Sequence, residues 1–138
     1  MLTQDQIDKI VKEVSDKSFV CGILLTGSYV YGKPNENSDL DIRIVTNDGE
    51  NIDDRNWEKF GVRIEAFYNS PERIREYFKE AIKTGDESAV HFWANGKIVF
   101  DPIGIVEILQ SEAKEIWKKG PESGVWETRP EYLAKRQK

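Results

Sequence analysis

The stretch "LLTGSYVYGKPNENSDLDIRIVTN", residues 24–47, sets two aspartates where a β-strand would hold them side by side. Leu40, Ile42 and Ile44 alternate with Asp39, Asp41 and Arg43, the period of a strand with one apolar and one charged face. Like carboxylates at close range repel and raise each other's pKa. Gly27 and Ser28 end the apolar run of the first strand, and "KPNENS" at 33–38 is rich in turn formers. Strand, Gly-Ser, loop and paired carboxylates, in that order, describe a site for a metal–nucleoside triphosphate complex. Two carboxylates suit Mg²⁺, which keeps waters and takes substrate phosphates as its remaining ligands. A glycine lets backbone approach a phosphate closely, and neighbouring N–H groups and a hydroxyl bind it. Taken alone, Asp-x-Asp also reads as a solvated strand face, or as Asp39 helping Ser38 to close the loop.

Outward from this stretch the chain alternates between helical and strand periods. Thr3 and Gln6 form a capping box, and Ile7, Ile10, Val11 and Val14 recur at helical spacing, so a helix is predicted over 4–16. "SFVCGILLTG" reads as a strand buried on both faces, and "GSYVYG" as a turn with one helical turn after it. "DLDIRIVT" is the second strand. "NDGENIDDRNWEKFG" is a polar connection with a short helix near Trp57, and "VRIEAFYN" is a third strand. Ser70 caps a helix that starts at Pro71 and ends at Gly85, with Ile74, Tyr77, Phe78, Ala81 and Ile82 as its buried stripe. "DESAVHFWANG" is a helix closed by Asn95-Gly96, "KIVFD" a short strand, and "PIGIVEILQSEAKEIWKKG" a final helix. The fold class is α/β (α+β): a mixed twisted sheet with helices packed on it and a short C-terminal helix.

The 138 residues suit one domain with a real core, and a net charge of −5 argues against a broad nucleic-acid surface. It leaves room for a small, metal-assisted site for an anionic ligand. The single cysteine, Cys21, sits in an apolar strand and forms no internal disulfide. A reducing, cytoplasmic location is expected. The sequence shows no signal peptide and no run long enough to span a membrane.

The residues "GSYVYGKPNENSDLDIRIV", 27–45, resemble the Gly-Ser, spaced Asp-x-Asp signature of the polymerase-β-like nucleotidyltransferase superfamily. The likeness is closest to small members similar to antibiotic-modifying adenylyltransferases and to the minimal nucleotidyltransferases of toxin–antitoxin pairs. It implies a polymerase-β palm-like nucleotidyltransferase domain over 1–120, followed by a polar tail, 121–138. It further implies transfer of a nucleoside monophosphate, AMP from ATP, to an acceptor hydroxyl of a small molecule or a protein tyrosine. Asp39 and Asp41 would hold two Mg²⁺ ions, and Glu65, the only acid inside "VRIEAFYN", would complete the metal site and accept a proton. Gly27, Ser28, Lys33 and Ser38 would contact the nucleotide. The longer antibiotic-modifying relatives add a helical domain that shapes the acceptor pocket. Here the chain stops soon after the final helix, so Ile105, Leu109 and Trp117 would be exposed and invite a homodimer or a partner subunit.

Plainer readings stand beside these. Glu65 also reads as a surface partner of Arg63 or Arg43, and Arg43 as half of a carboxylate pair. Lys33 reads as a solvated lysine, Tyr29 and Tyr31 as ordinary packing, and His91 as a core or helix-surface residue. Trp57, Trp93, Trp117 and Trp126 read as core or interface residues, and "KRQK" as a disordered tail. The other function class is a nucleotide- or partner-binding module of the same fold, catalytically weak or inactive. A third is an unrelated α/β protein whose acidic face is a calcium site or solvent surface.

Overall fold

The structure, a computed structural model, describes residues 1–47 and 52–127, and residues 52–55 by their backbone alone. The elements run α1 (Gln4–Ser15), β1 (Val20–Thr26), α2 (Ser28–Tyr31), β2 (Leu40–Thr46), β3 (Ile52–Lys59), β4 (Val62–Asn69), α3 (Pro71–Thr84), α4 (Ser88–Asn95), β5 (Lys97–Phe100) and α5 (Ile105–Lys119). The five strands form one mixed sheet in the order β3-β4-β2-β1-β5. β2 and β4 are parallel, and every other pairing is antiparallel.

β1 is buried along all seven residues, as its continuous apolar run requires. Its alternation divides the core in two. Ile23 and Leu25 join Leu40, Ile42, Ile44, Ile64 and Ala66 against α1. Cys21 and Leu24 join Val45 under α3, α4 and α5. The Thr3–Gln6 capping box fixes the start of α1, which buries Ile7, Ile10 and Val14. Each such side chain contributes about 1.5–3 kcal/mol over leaving it exposed. On the second face Ser70 accepts from Arg73 N at 3.2 Å, Pro71 opens α3, and Gly85 at φ 81° ends it. Arg75 on α3 holds Glu112 on α5 through Nε at 3.0 Å and Nη2 at 2.8 Å. Because Leu40, Ile42 and Ile44 all turn towards α1, Asp41 and Arg43 project from the same sheet face as α3–α5.

Two expectations are corrected here. The segment at Trp57 is a strand, not a short helix: Trp57 pairs with Ile64 and Lys59 with Val62. The two-residue loop between them has φ 52° at Phe60 and 74° at Gly61, a type I′ geometry. α5 does not expose Leu109, which is buried with Val106 and Ala113, while Ile105 and Trp117 are half-buried. The helix turns that stripe onto α4 and β1, and Ile108 faces solvent instead. Gly96 closes α4 in an extended conformation, and its missing side chain matters for packing: a Cβ there would stand 2.6 Å from Leu24.

Residues 121–127 run back along the C-terminal end of α3. Glu122 N donates to Ile82 O at 2.9 Å, Glu127 N to Gly85 O at 2.7 Å, and Trp126 Nε1 to Trp117 O at 3.1 Å. Residues 48–51 of the expected polar connection and the "KRQK" tail lie outside the described residues.

A bulky residue at positive φ is strained by about 1–2 kcal/mol. Phe60 is 44% exposed, so little packing is lost on replacing it. Phe60→Asn, which gives this turn its preferred Asn-Gly pair, is expected to stabilise the domain by about 0.5–1 kcal/mol. A higher urea midpoint at unchanged slope supports this, and a lower midpoint contradicts it.

Candidate active site

The parallel register of β2 and β4 sets Asp41 opposite Glu65 and Arg43 opposite Phe67. The antiparallel register of β1 sets Thr26 opposite Asp41. Strand alternation then brings Asp41, Arg43, Glu65 and Phe67 to one face. Gly27 follows Thr26 with φ 82° and ψ −165°, a backbone region open essentially to glycine alone. A Cβ at this position would collide with Asp41 Oδ2 and lie 3.1 Å from its Cγ. The Gly27 backbone therefore rests directly on the Asp41 carboxylate.

Burial pushes the Asp41 carboxyl up to about 7, helped by the charge of Glu65, a hydrogen bond with Glu65 and, last, the charge of Asp39; the Arg43 guanidinium opposes the rise. Asp41 thus keeps its proton up to near neutrality, chiefly because its charge would be buried and secondly because Glu65 lies beside it. Asp39 stands apart, one residue before β2. Its Oδ2 lies 3.9 Å from Arg63 Nη1, with both side chains partly in solvent, a pairing worth about 1 kcal/mol at most. Two of the three expected acids therefore adjoin, and the third leans towards Arg63. Among the described residues no three His, Cys, Asp or Glu side chains are gathered as a ready metal cage.

Arg43 is held between two rings, 4.1 Å from the Phe67 centroid and 4.5 Å from that of Phe92 on α4. Its Nε donates to Thr26 Oγ1 at 3.4 Å. Aromatic faces hold the guanidinium plane, and its charge also acts on the Asp41 carboxyl. Ser28 opens α2, half-buried, and Lys33 is exposed on the loop. The Ser38 hydroxyl accepts from Asn35 N at 2.9 Å, so in this structure it closes the 35–38 turn. Tyr29 packs on the first core with its hydroxyl accepting from Leu2 N at 3.1 Å. Tyr31 meets the buried His91 ring edge-on at 5.6 Å, and His91 lies 5.0 Å from Trp117.

The sequence reading missed Thr26, Phe67 and Phe92. Phe67 was within reach, since it shares a strand face with Glu65. Phe92 gave no local signal, because only the packing of α4 brings it to Arg43. Beside this cluster lies a cleft of about 380 Å³ lined by Arg43, Phe67, Asn69, Tyr77, Ser88 and Phe92, among others.

The sequence matches the nucleotidyltransferase domain over residues 7–120. The chain belongs to this family. Its fold is also that of a nucleotidyltransferase-like protein from Exiguobacterium sibiricum 255-15, with TM-score 0.60 and 15% identity over 80% of this chain and 38% of that one. The chain thus spans well under half the length of that protein. A toxin–antitoxin structure with AMP-PNP aligns over 99% of this chain and 94% of its own, with 15% identity and TM-score 0.49. Among curated proteins none matches the sequence. The polymerase-β-like resemblance and the mixed-sheet fold class are borne out, and family membership supports nucleotidyl transfer in general. No helix among the described residues is long and apolar enough to cross a membrane.

The donors of this cluster fit a hard divalent cation. Asp41 and Glu65 offer carboxylate oxygens, and the raised Asp41 carboxyl marks a place where positive charge is wanted. Mg²⁺ is ordinarily held by one or two carboxylates plus substrate phosphates, so a two-acid site suffices.

Proposed function

We propose that this nucleotidyltransferase domain moves a nucleoside monophosphate, AMP from ATP, to an acceptor hydroxyl and releases pyrophosphate. The observation that carries the reading is Asp41 facing Glu65 across parallel strands, with the Gly27 backbone lying on the Asp41 carboxylate. Asp41 and Glu65 would hold Mg²⁺, joined by Asp39 once it leaves its weak contact with Arg63. The bound ion would neutralise phosphate charge and template the displacement.

The chain's own residues supply the rest. The Ser28 and Tyr29 N–H groups precede the first backbone bond of the turn, from Val30 N to Gly27 O, and would suit phosphate oxygens. Glu65 takes the proton of the acceptor hydroxyl as the new bond to the α-phosphorus forms. The bond from that phosphorus to the bridging oxygen breaks, and pyrophosphate leaves. The acceptor enters by the cleft beside Arg43 and Phe67. Those residues lie one strand repeat from the acids, about 7 Å along the sheet.

The test is incubation with Mg²⁺ and α-labelled nucleoside triphosphates, with small hydroxyl compounds and proteins as acceptors, for wild type and Asp41→Asn. Label transferred by wild type and lost in the variant supports the enzyme. Nucleotide binding without transfer to any acceptor would favour the binding module.

A further inference from the structure

Two consecutive residues of α4, His91 and Phe92, reach the two ends of the Gly27 turn. At its start, Phe92 stacks 4.5 Å from Arg43, whose Nε donates at 3.4 Å to Thr26, the residue before Gly27. At its end, His91 meets Tyr31, the last residue of α2, edge-on at 5.6 Å. The turn is closed internally by Val30 N to Gly27 O at 3.0 Å and Gly32 N to Ser28 O at 3.2 Å. A four-residue helix has no length of its own to hold it. Its placement on Asp41 must come from tertiary contacts, and α4 provides one at either end.

We propose that α4 is a bracket for this turn and that Phe92 and His91 are positioning residues for the triphosphate. The inference rests on the proposed nucleotidyl transfer. α4 is itself fixed, with Val90, Trp93 and Ala94 in the second core and Gln110 Nε2 of α5 donating to Trp93 O at 3.1 Å. The helix therefore carries the position of the core to the site. The clamp runs from Phe92 through Arg43 to Thr26 and sets where the Gly27 N–H side lies relative to Asp41.

The test uses Phe92→Leu, which keeps volume and apolar character, and Phe92→Tyr, which restores a ring. In Phe92→Leu the KM and Kd for Mg·ATP are expected to rise about tenfold. Amide exchange at Tyr31 and Gly32 is expected to accelerate, while exchange along β4 holds. Phe92→Tyr is expected to restore both. A purely structural role would speed exchange at β4 and at the turn in parallel and leave KM unmoved, and that result overturns the proposal. Unchanged exchange at Tyr31 and Gly32 also overturns it. If wild type takes up no Mg·ATP, the proposed reaction fails, and the exchange comparison still decides the bracket.

Discussion

Asp41→Asn is expected to lower label transfer by about 10³-fold or more, and at the same time to make the metal-free protein more stable at pH 8. Loss of an electrostatic group of this kind commonly removes about 10²–10³ of a rate, and here the variant also forfeits a charged metal ligand. The stability gain follows from the sign of the pKa shift. The folded carboxyl titrates at about 7, well above the ordinary aspartate range. Between about pH 4 and 7 the unfolded chain has released a proton that the folded protein keeps. Folding stability therefore falls as pH rises through that window and levels off above it. Asparagine cannot ionise, and its amide still donates to Glu65 as the protonated acid does. With EDTA present, the gain is expected to be about 1–2 kcal/mol at pH 8, after discounting for the part of the site that solvent reaches, and about a third of that at pH 5. Urea denaturation at the two pH values measures it. A variant less stable than wild type at pH 8 would mean that Asp41 is ionised at no cost, and the site would lose its claim to bind a cation.

Gly27→Ala is expected to lose both nucleotide binding and stability. The φ of 82° with ψ of −165° is strained for any side chain, at about 1–3 kcal/mol. The added methyl group would also meet Asp41 Oδ2 and force the carboxylate away from its place opposite Glu65. The two effects separate in a double mutant. Asp41→Ala removes the atoms that the methyl group strikes, so it should return the steric part of the loss and leave the backbone part. Coupling between positions 27 and 41 of about 1 kcal/mol or more is the expected result. Strict additivity would show that the turn does not lie on the carboxylate.

Much of this site was legible in the sequence because strand alternation is a strong constraint. Leu40, Ile42 and Ile44 fix which way Asp41 points, and Val62, Ile64 and Ala66 do the same for Glu65. What alternation cannot give is the direction and register of pairing. Parallel pairing sets Leu40 against Ile64, which carries Arg63 towards Asp39 and leaves Glu65 to Asp41. The strand at Trp57 was hidden for a different reason. "IDDRNWEK" has no apolar alternation, and its hairpin turn is Phe-Gly where Asn-Gly would have signalled it. The burial of Leu109 and the reach of Phe92 depend on how α4 and α5 pack, and local periodicity does not report that. The Ser70–Pro71 start and the Gly85 end of α3 were plain because capping chemistry is local.

The most direct test of the account is to follow the Asp41 side-chain carboxyl carbon by NMR through a pH titration, first in EDTA and then with Mg²⁺ and a non-hydrolysable ATP analogue. The expected midpoint is about 7 in EDTA, falling by two or more pH units, or about 3 kcal/mol, once the ion and triphosphate are bound. A midpoint in the ordinary carboxylate range that ignores both additions would contradict the assignment of Asp41 and Glu65 as the seat of nucleotidyl transfer.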